Sequence, residues 1–214
     1  MNAVLARPRI GVLAVQGAFV EHERCLRACG AQTTRVRAPG DLPGIDGIVL
    51  PGGESTTLGL VAGESGLLDA LREALADGLP ALGTCAGMIM LARATTGGGQ
   101  PLIGGIDVVV RRNAFGRQSS SFEASVDVPA LGDPPVDAVF IRAPWIESSG
   151  PGVEILAEYG GHAVAARSGD LLVTAFHPEL GDELRFHEWL VARARARRAR
   201  VEGVDRREGN VRAQ

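Results

Sequence analysis

The sequence predicts a single three-layer α/β domain: a mostly parallel central sheet with helices on both faces and an antiparallel extension. Three observations lead to this fold class. Apolar runs alternate with helix-like segments through the first half of the chain, as in successive βαβ units. The middle of the chain instead contains short strand-like runs with few helical stretches between them, which favours antiparallel pairing. The length of 214 residues suits one domain with a sizeable core.

The first half supplies the predicted parallel strands and their helices. Arg9–Val15 is a continuous apolar run, typical of a central strand covered on both faces. The elements predicted after this strand are a helix at 18–29, strands at 33–37 and 45–50, a helix at 67–77, and a short buried strand that turns into a further helix at Cys85.

The second half supplies the predicted antiparallel extension and the end of the fold. Its predicted strands lie at 106–111, 121–128 and 136–141, with a hairpin formed by 154–158 and 162–167 and a strand at 171–176 that returns to the core. A terminal helix is predicted from Leu184 to about Arg200. We therefore assign residues 1–190 to one domain and residues 191–214 to an Arg-rich helical extension that frays.

The charge distribution limits the classes of function. Net charge is −3, yet eight Arg and three acidic residues after Leu190 give that tail about +5 and leave about −8 on the rest. An acidic body argues against nucleic-acid binding as the main function. The basic tail leaves contact with RNA or an acidic partner open, although a helix extension is the favoured interpretation. No apolar run reaches membrane-spanning length and no signal-peptide pattern opens the chain, so we expect a cytoplasmic protein without a membrane anchor.

The three cysteines do not form a disulfide framework. Cys25 and Cys29 are four residues apart on a predicted helix, with His22 on nearly the same face. Metal binding at this spacing would need a fourth ligand, and none is evident nearby. We interpret these side chains as residues that pack the helix against the rest of the fold, and we expect no metal site.

Cys85 lies in the most informative segment of the chain. The run Gly83-Thr84-Cys85-Ala86-Gly87 follows a short buried strand and precedes a helix. Glycines two residues on either side of a nucleophile are the sulfur counterpart of the Gly-x-Ser-x-Gly elbow. The helix that begins behind the cysteine favours negative charge on its sulfur. A small core cysteine is the alternative interpretation of this residue alone.

A second segment completes a possible hydrolytic triad. Thr174-Ala175-Phe176-His177-Pro178-Glu179 reads as a buried strand that ends in a base and a carboxylate. Taken alone, His-Pro-Glu is usually a turn. Because α/β sheets place their sites at the ends of strands, Cys85, His177 and Glu179 together predict nucleophilic catalysis by a Cys-His-Glu triad.

The segment Pro51-Gly52-Gly53-Glu54-Ser55 also follows a buried strand and should lie on the same sheet edge. Adjacent glycines allow backbone N–H groups to turn toward a ligand, as an oxyanion hole or a carboxylate-binding nest requires. A simple turn is the alternative.

Two arginines are candidates for binding a carboxylate. Arg112 and Arg142 lie in segments that are unusually rich in functional side chains, and either guanidinium can make a two-pronged contact with the α-carboxylate of an amino acid. Glu54 would then meet the ammonium group. Surface ion pairing remains open for each of these arginines.

The motifs together resemble those of a known family. Gly83-Thr-Cys-Ala-Gly87 and His177-Pro-Glu179 are similar to the class I, triad-type glutamine amidotransferases. Further motifs narrow the resemblance to the glutaminase subunits of pyridoxal 5'-phosphate synthases: Val15-Gln-Gly-Ala18, Pro51-Gly-Gly-Glu-Ser-Thr56, Arg112-Asn-Ala-Phe-Gly-Arg-Gln118 and Phe140-Ile-Arg-Ala-Pro144. The resemblance runs from about Ile10 to Leu190 and leaves the Arg-rich tail outside it.

This resemblance implies roles for individual residues. Cys85 is the nucleophile, His177 the general base and acid, and Glu179 the orienting carboxylate. Backbone N–H groups of Gly53 and Ala86 are expected to stabilise the oxyanion. The expected contacts to L-glutamine are Gly53, Glu54, Ser55, Arg112, Ile141 and Arg142. No metal or organic cofactor is implied.

The resemblance also implies a partner. Glutamine would be hydrolysed to glutamate and ammonia, and the ammonia passed to a synthase subunit that makes pyridoxal 5'-phosphate. The two subunits are expected to form a large ring complex in which docking activates the glutaminase, and Gln16 lies next to the expected oxyanion site. Three alternatives stay open: a glutaminase of another pathway such as histidine synthesis, a γ-glutamyl peptidase, and a binding module without activity.

Overall fold

The computed structural model describes residues 7–115 and 121–211, and the backbone alone over residues 204–211. The first five strands and the helices between them are β1 (Arg9–Leu13), α1 (Phe19–Ala28), β2 (Gln32–Val36), β3 (Gly47–Leu50), α2 (Ser55–Glu64), α3 (Leu67–Ala76), β4 (Ala81–Thr84), α4 (Ala86–Leu91) and β5 (Ala92–Thr96). The remaining elements are β6 (Ile106–Arg111), β7 (Ser121–Val126), β8 (Val136–Ile141), β9 (Trp145–Ser149), β10 (Glu154–Tyr159), β11 (His162–Ser168), β12 (Leu171–Thr174) and α5 (Arg185–Val211).

A ten-stranded sheet forms the centre of the molecule, in the order β2-β1-β3-β4-β12-β11-β9-β6-β5, with β10 paired to β11. The first five strands of this order are parallel to one another. From β12 to β6 the neighbours run antiparallel, and β7 and β8 form a separate antiparallel pair. The predicted α/β fold with an antiparallel extension is therefore confirmed.

Two groups of helices flank the sheet. α1 and α5 pack against each other and against the parallel strands, while α2, α3 and α4 form the second group, in which α4 contacts β3 and β4. Every residue of β3 and β4 is buried, as expected of central strands that are covered on both faces. Both faces of these two strands are therefore covered by other elements.

Three elements differ from the sequence-based prediction. α2 was not predicted, and β5 and β9 were also missed. α2 has the sequence Ser-Thr-Thr-Leu-Gly-Leu-Val-Ala-Gly-Glu, in which β-branched residues and glycines lower the intrinsic helix propensity. The Glu54 side chain compensates by accepting hydrogen bonds from the backbone N–H groups of Thr56 and Thr57, so the helix starts with a strong N-cap.

The terminal helix passes through the boundary predicted at Leu190. Val191 and Ala194 are buried in the core, and α5 continues to Val211 rather than ending near Arg200. Arg193 and Arg200 make ion pairs with Asp170, and Arg198 pairs with Asp46. The arginines at the start of the tail therefore contact carboxylates of the acidic body.

Candidate active site

Three neighbouring parallel strands end at one edge of the sheet and place the predicted site there. Leu50 pairs with Gly83, and Thr84 pairs with Thr174, so β3, β4 and β12 finish side by side. The segments that follow these strands begin at Pro51, Cys85 and Ala175. Segments distant in sequence meet because parallel strands align their carboxyl ends.

Cys85 adopts the strained backbone that a nucleophile elbow requires. Its φ is 49° and its ψ is −101°, outside the regions that L-residues usually occupy. A Cβ added to Gly87 would lie 1.9 Å from the carbonyl oxygen of Leu50, and one added to Gly83 would lie 2.7 Å from the Gly87 backbone. Both glycines are therefore required by close backbone approach, and the Cys85 sulfur is held 3.8 Å from the Ile141 carbonyl oxygen.

His177 and Glu179 form a buried pair beside Cys85. The His177 Nδ1 and Glu179 Oε1 atoms are 2.8 Å apart, and Glu179 is fully buried. Because a carboxylate can only accept, Nδ1 carries the proton and Nε2 is left for the cysteine. Burial lowers the pKa of His177, but its interactions with Cys85 and Glu179 outweigh burial and raise the pKa above its ordinary value.

The Glu179 carboxyl is kept ionised by its neighbours. Burial raises the pKa of Glu179, whereas the charge of His22 and the hydrogen bond from His177 lower it well below its usual range. An ionised carboxylate at this position orients the imidazole and stabilises the imidazolium form. The pair therefore has the geometry and the charge of the second half of a triad.

The glycine-rich segment after β3 closes against the start of α1. The Ala18 N–H lies 3.4 Å from the carbonyl oxygen of Gly52, and a Cβ on Gly17 would lie 1.8 Å from that oxygen. A Cβ on Gly52 would lie 2.2 Å from the His177 ring. Gly17 and Gly52 thus allow the expected oxyanion segment, the α1 entry and the triad base to touch.

A cavity of about 270 Å³ lies in front of Cys85. Its size suits a small metabolite rather than a drug-sized ligand. The cavity brings together eight of the residues predicted as site residues, together with Ile89 and Asn113, which the sequence did not reveal. The predicted residues that line it are Gly53, Glu54, Ser55, Cys85, Ala86, Arg112, Ile141 and Arg142. His177 lines an adjoining cavity of about 250 Å³, and Glu179 lines neither cavity.

Backbone strain is concentrated on this cavity. Among the described residues, Cys85, Asn113 and Arg142 are the non-glycine residues with positive φ, with values of 49°, 48° and 45°. All three line the cavity. Strain of this kind costs about 1–3 kcal/mol per residue and clusters at functional sites. Two larger cavities, around Asp46 and around Asp137, contain none of these three residues.

Arg112 is held by a polar network along one wall of the cavity. Its guanidinium donates to Gln100 Oε1 at 3.0 Å and to Glu54 Oε1 at 3.3 Å, and Gln100 Nε2 donates to Ser55 Oγ at 3.3 Å. Gln100 follows the three glycines 97–99, and nothing in the sequence pointed to this contact. Gln100 joins two predicted glutamine-binding residues that are far apart in sequence.

Part of one predicted segment lies outside the described residues. Of Arg112–Gln118, the structure describes residues 112–115 only. In residues 7–115 and 121–203, whose side chains the structure describes, no group of three or more His, Cys, Asp or Glu side chains is placed to hold a metal ion. No helix in that same part of the chain is both long enough and apolar enough to cross a membrane.

Comparison with known proteins gives a consistent result across sequence and structure. A sequence model of the SNO glutamine amidotransferase family matches residues 12–196. The pyridoxal 5'-phosphate synthase subunit PdxT of Parafrankia sp. (strain EAN1pec) is 56% identical over 189 residues, which cover 87% of this chain and 93% of the relative. The protein of the same name from Streptomyces coelicolor is 53% identical over 194 residues, covering 90% and 96%.

Solved structures agree with these relatives. A crystal structure of a glutamine amidotransferase superposes with a TM-score of 0.82 at 43% identity, covering 86% of this chain and 98% of that one. PurLQS from Thermotoga maritima shares the fold at a TM-score of 0.61 and 16% identity, covering 89% of this chain and 98% of its own.

Proposed function

This chain belongs to the SNO glutamine amidotransferase family, and we infer that it is the glutaminase subunit of a pyridoxal 5'-phosphate synthase. One observation carries this inference: a relative named as the pyridoxal 5'-phosphate synthase subunit PdxT is 56% identical and aligns over 93% of its own length. The chain is therefore an enzyme that hydrolyses L-glutamine to L-glutamate and ammonia. The predicted triad residues meet at one sheet edge, which supports this activity.

We assign the first chemical step to Cys85. The Cys85 thiol gives its proton to His177 Nε2, the resulting thiolate attacks the side-chain amide carbon of glutamine, a C–S bond forms, and the carbonyl oxygen becomes negatively charged. Backbone N–H groups of Gly53 and Ala86 would stabilise that oxyanion, and both residues line the cavity. The start of α4 directly behind Cys85 supports this assignment because its first N–H groups have no partners within the helix.

His177 transfers the protons of the reaction. As the imidazolium, it gives a proton to the nitrogen as the C–N bond breaks and ammonia leaves. A water molecule then attacks the thioester and loses its proton to His177, and glutamate is released with the Cys85 sulfur restored. Glu179 keeps the imidazole in the required tautomer through the 2.8 Å contact with Nδ1.

Substrate binding is assigned to the opposite wall of the cavity. Arg112 and Arg142 supply positive charge for the α-carboxylate of glutamine, and Glu54 and Ser55 lie beside them. In this structure the Glu54 carboxylate caps α2 and contacts Arg112, so it would meet the substrate ammonium without leaving its helix. The backbone at Ile141 completes this wall.

The partner is the synthase subunit that uses the ammonia. The relatives are named as subunits of a synthase, which supports a shared assembly for this chain. We propose, beyond this, a large ring complex of both subunits in the cytoplasm. The three free cysteines are compatible with a reducing compartment.

Glutamate release tests the proposed function. The purified chain should release glutamate from glutamine when mixed with its synthase subunit, and Cys85→Ala should abolish this release while leaving docking intact. Cys29→Ala is the matched control, because Cys29 is half-buried at the C-cap of α1 and outside both cavities. Equal activity of the Cys85→Ala variant and the wild type would contradict the assignment.

A further inference from the structure

Two histidines that the proposed reaction does not use lie buried behind the triad. His22 on α1 and His187 on α5 are both fully buried. His22 Nδ1 is 2.8 Å from His187 Nε2, and His22 Nε2 is 3.1 Å from Thr84 Oγ1 and 3.4 Å from Glu179 Oε1. Burial of a polar ring is unfavourable unless the ring is hydrogen-bonded, and the contacts of His22 offset that unfavourable free energy.

The acceptor character of Glu179 fixes the direction of its contact with His22. The carboxylate can only accept, so His22 carries a proton on Nε2. His22 Nδ1 and His187 Nε2 are close enough to share one proton. Burial, followed by the charge of His22, lowers the pKa of His187 to about 3, so His187 is neutral.

The Glu179 carboxylate depends on this contact for its orientation. Its Oε2 atom has no hydrogen-bond partner among the described residues, so Oε1 makes both of the side chain's polar contacts. His177 and His22 therefore meet at the same oxygen. Without His22, a single contact to the moving catalytic imidazole would have to hold the carboxylate in place.

We propose that His22 is a positioning residue of the triad that acts through Glu179, and that His187 holds the imidazole ring of His22 in place. The juxtaposition that carries this inference is the chain of contacts His187–His22–Glu179–His177, which links α5 and α1 to the catalytic base. The inference rests on the proposed glutaminase function.

Substitutions at His22 separate hydrogen-bond donation from simple packing. His22→Leu removes the donor, whereas the amide N–H of His22→Gln can take the place of Nε2–H. Measured with the synthase subunit, His22→Leu should lower kcat about ten- to a hundred-fold, by analogy with the loss found when the hydrogen-bond partner of a metal-binding histidine is removed. KM for glutamine should change less than twofold because His22 does not line the cavity in front of Cys85. His22→Gln should recover most of the lost kcat.

The pH profile provides a readout that a packing role would not change. The titratable and charged groups that face Glu179 are His177 on its own segment, His22, Arg24 and Cys25 on α1, and His187 on α5 through its charge interaction. Loss of the His22 donor raises the pKa of Glu179, so higher pH is needed to ionise it. The acid limb of kcat should therefore move to higher pH in His22→Leu and stay in place in His22→Gln.

His187 supplies an independent test of the same chain of contacts. His187→Leu should lower kcat by less than His22→Leu, and it should have no further effect in the His22→Leu background, because it acts through His22. Leu26→Ala is the matched control: Leu26 is fully buried on α1, and its truncation should lower the thermal midpoint without lowering kcat at 25 °C.

Each outcome decides the proposal. Unchanged kcat in His22→Leu, a His22→Gln variant as slow as His22→Leu, or additive losses from His22 and His187 would overturn it. So would a kcat loss in Leu26→Ala equal to that in His22→Leu, which would indicate packing. A wild-type chain that releases no glutamate with its synthase partner would instead contradict the proposed function itself.

Discussion

Charged residues that line the cavity in front of Cys85 make structural contacts in addition to their proposed role in substrate binding. Arg112 contacts Glu54 and Gln100, and these contacts hold its guanidinium at the cavity wall. A planar guanidinium can bind a carboxylate through two parallel hydrogen bonds, and a lysine ammonium cannot. The identity of the basic residue therefore matters more than its charge.

At the residue scale, we predict that Arg112→Lys and Arg142→Lys weaken glutamine binding. The loss of a hydrogen bond to a charged group is worth about 1.5–3 kcal/mol, so KM for glutamine should rise on the order of ten- to a hundred-fold. Steady-state kinetics of glutamate release measures this change. Arg111→Lys is the matched control, because Arg111 pairs with Glu147 in an exposed bridge and should leave KM unchanged. Unchanged KM in both cavity variants would assign these arginines to docking or structure.

At the element scale, the N-cap of α2 couples helix stability to pH. Burial raises the pKa of Glu54, but the hydrogen bonds from Thr57 and Thr56 outweigh it and lower the pKa to about 2. A depressed carboxyl pKa contributes stability that is present above the unfolded value of 4.5 and is lost as pH falls toward 2. Glu54 lines the cavity in front of Cys85 and also caps α2, so its ionisation affects the stability of that helix.

We predict that Glu54→Ala lowers the free energy of unfolding by about 0.5–2 kcal/mol at pH 7, the range for loss of an N-cap. The value should lie at the lower end because the carboxylate is 39% exposed and solvent screens it. Urea unfolding from pH 7 down to pH 3 measures the difference between wild type and variant. That difference should shrink below pH 4.5, and a constant difference would contradict the capping role.

Close packing of α4 on β3 makes a second prediction at this scale. A Cβ on Gly87 would lie 1.9 Å from the Leu50 carbonyl oxygen, so Gly87→Ala must displace α4 from the strand. Overpacking of this kind destabilises by about 1–3 kcal/mol, and the displaced elbow should also lose glutamine hydrolysis. Gly63→Ala is the matched control, since a Cβ there meets no atom within 4 Å and Gly63 lies in a helix. It should keep full activity and equal or greater stability in urea unfolding.

Local sequence patterns predicted the elements that carry the triad better than those that shape the cavity. The glycine spacing around Cys85 and the apolar run before His177 are local signals, so the strand ends could be located. Gln100 approaches Ser55 and Arg112 only in the folded chain, and no local pattern encodes that contact. α2 was missed in part because one of its glycines serves packing: a Cβ on Gly59 would lie 2.5 Å from the Pro101 carbonyl oxygen.

At the scale of the whole molecule, the start of α1 links the surface to the expected oxyanion segment. The Ala18 N–H contacts the Gly52 carbonyl, and the Oε1 atom of the adjacent Gln16 is buried without a hydrogen-bond partner among the described residues. A peptide bond between two glycines can reorient at little conformational cost. A partner subunit that contacted the start of α1 would therefore act directly on the expected oxyanion segment.

We predict that the isolated chain is a poor glutaminase and that the synthase subunit activates it. One oxyanion donor is worth about a hundred- to a thousand-fold in rate, which sets the scale of activation. Glutamate release by the free chain, by the complex and by a complex with Gln16→Ala measures the effect. Full activity in the free chain would reject docking-dependent activation, and an unaffected Gln16→Ala complex would remove that residue from the activation.

The central claim, that Cys85 attacks the side-chain amide of glutamine, is tested most directly by covalent labelling. A glutamine analogue with an electrophile at the amide position should modify Cys85 once per chain in the complex, as measured by mass spectrometry of the intact chain and its peptides. Excess glutamine should protect the residue, and Cys85→Ala should take up no label. Modification spread over Cys25, Cys29 and Cys85, or labelling that glutamine does not prevent, would contradict the account.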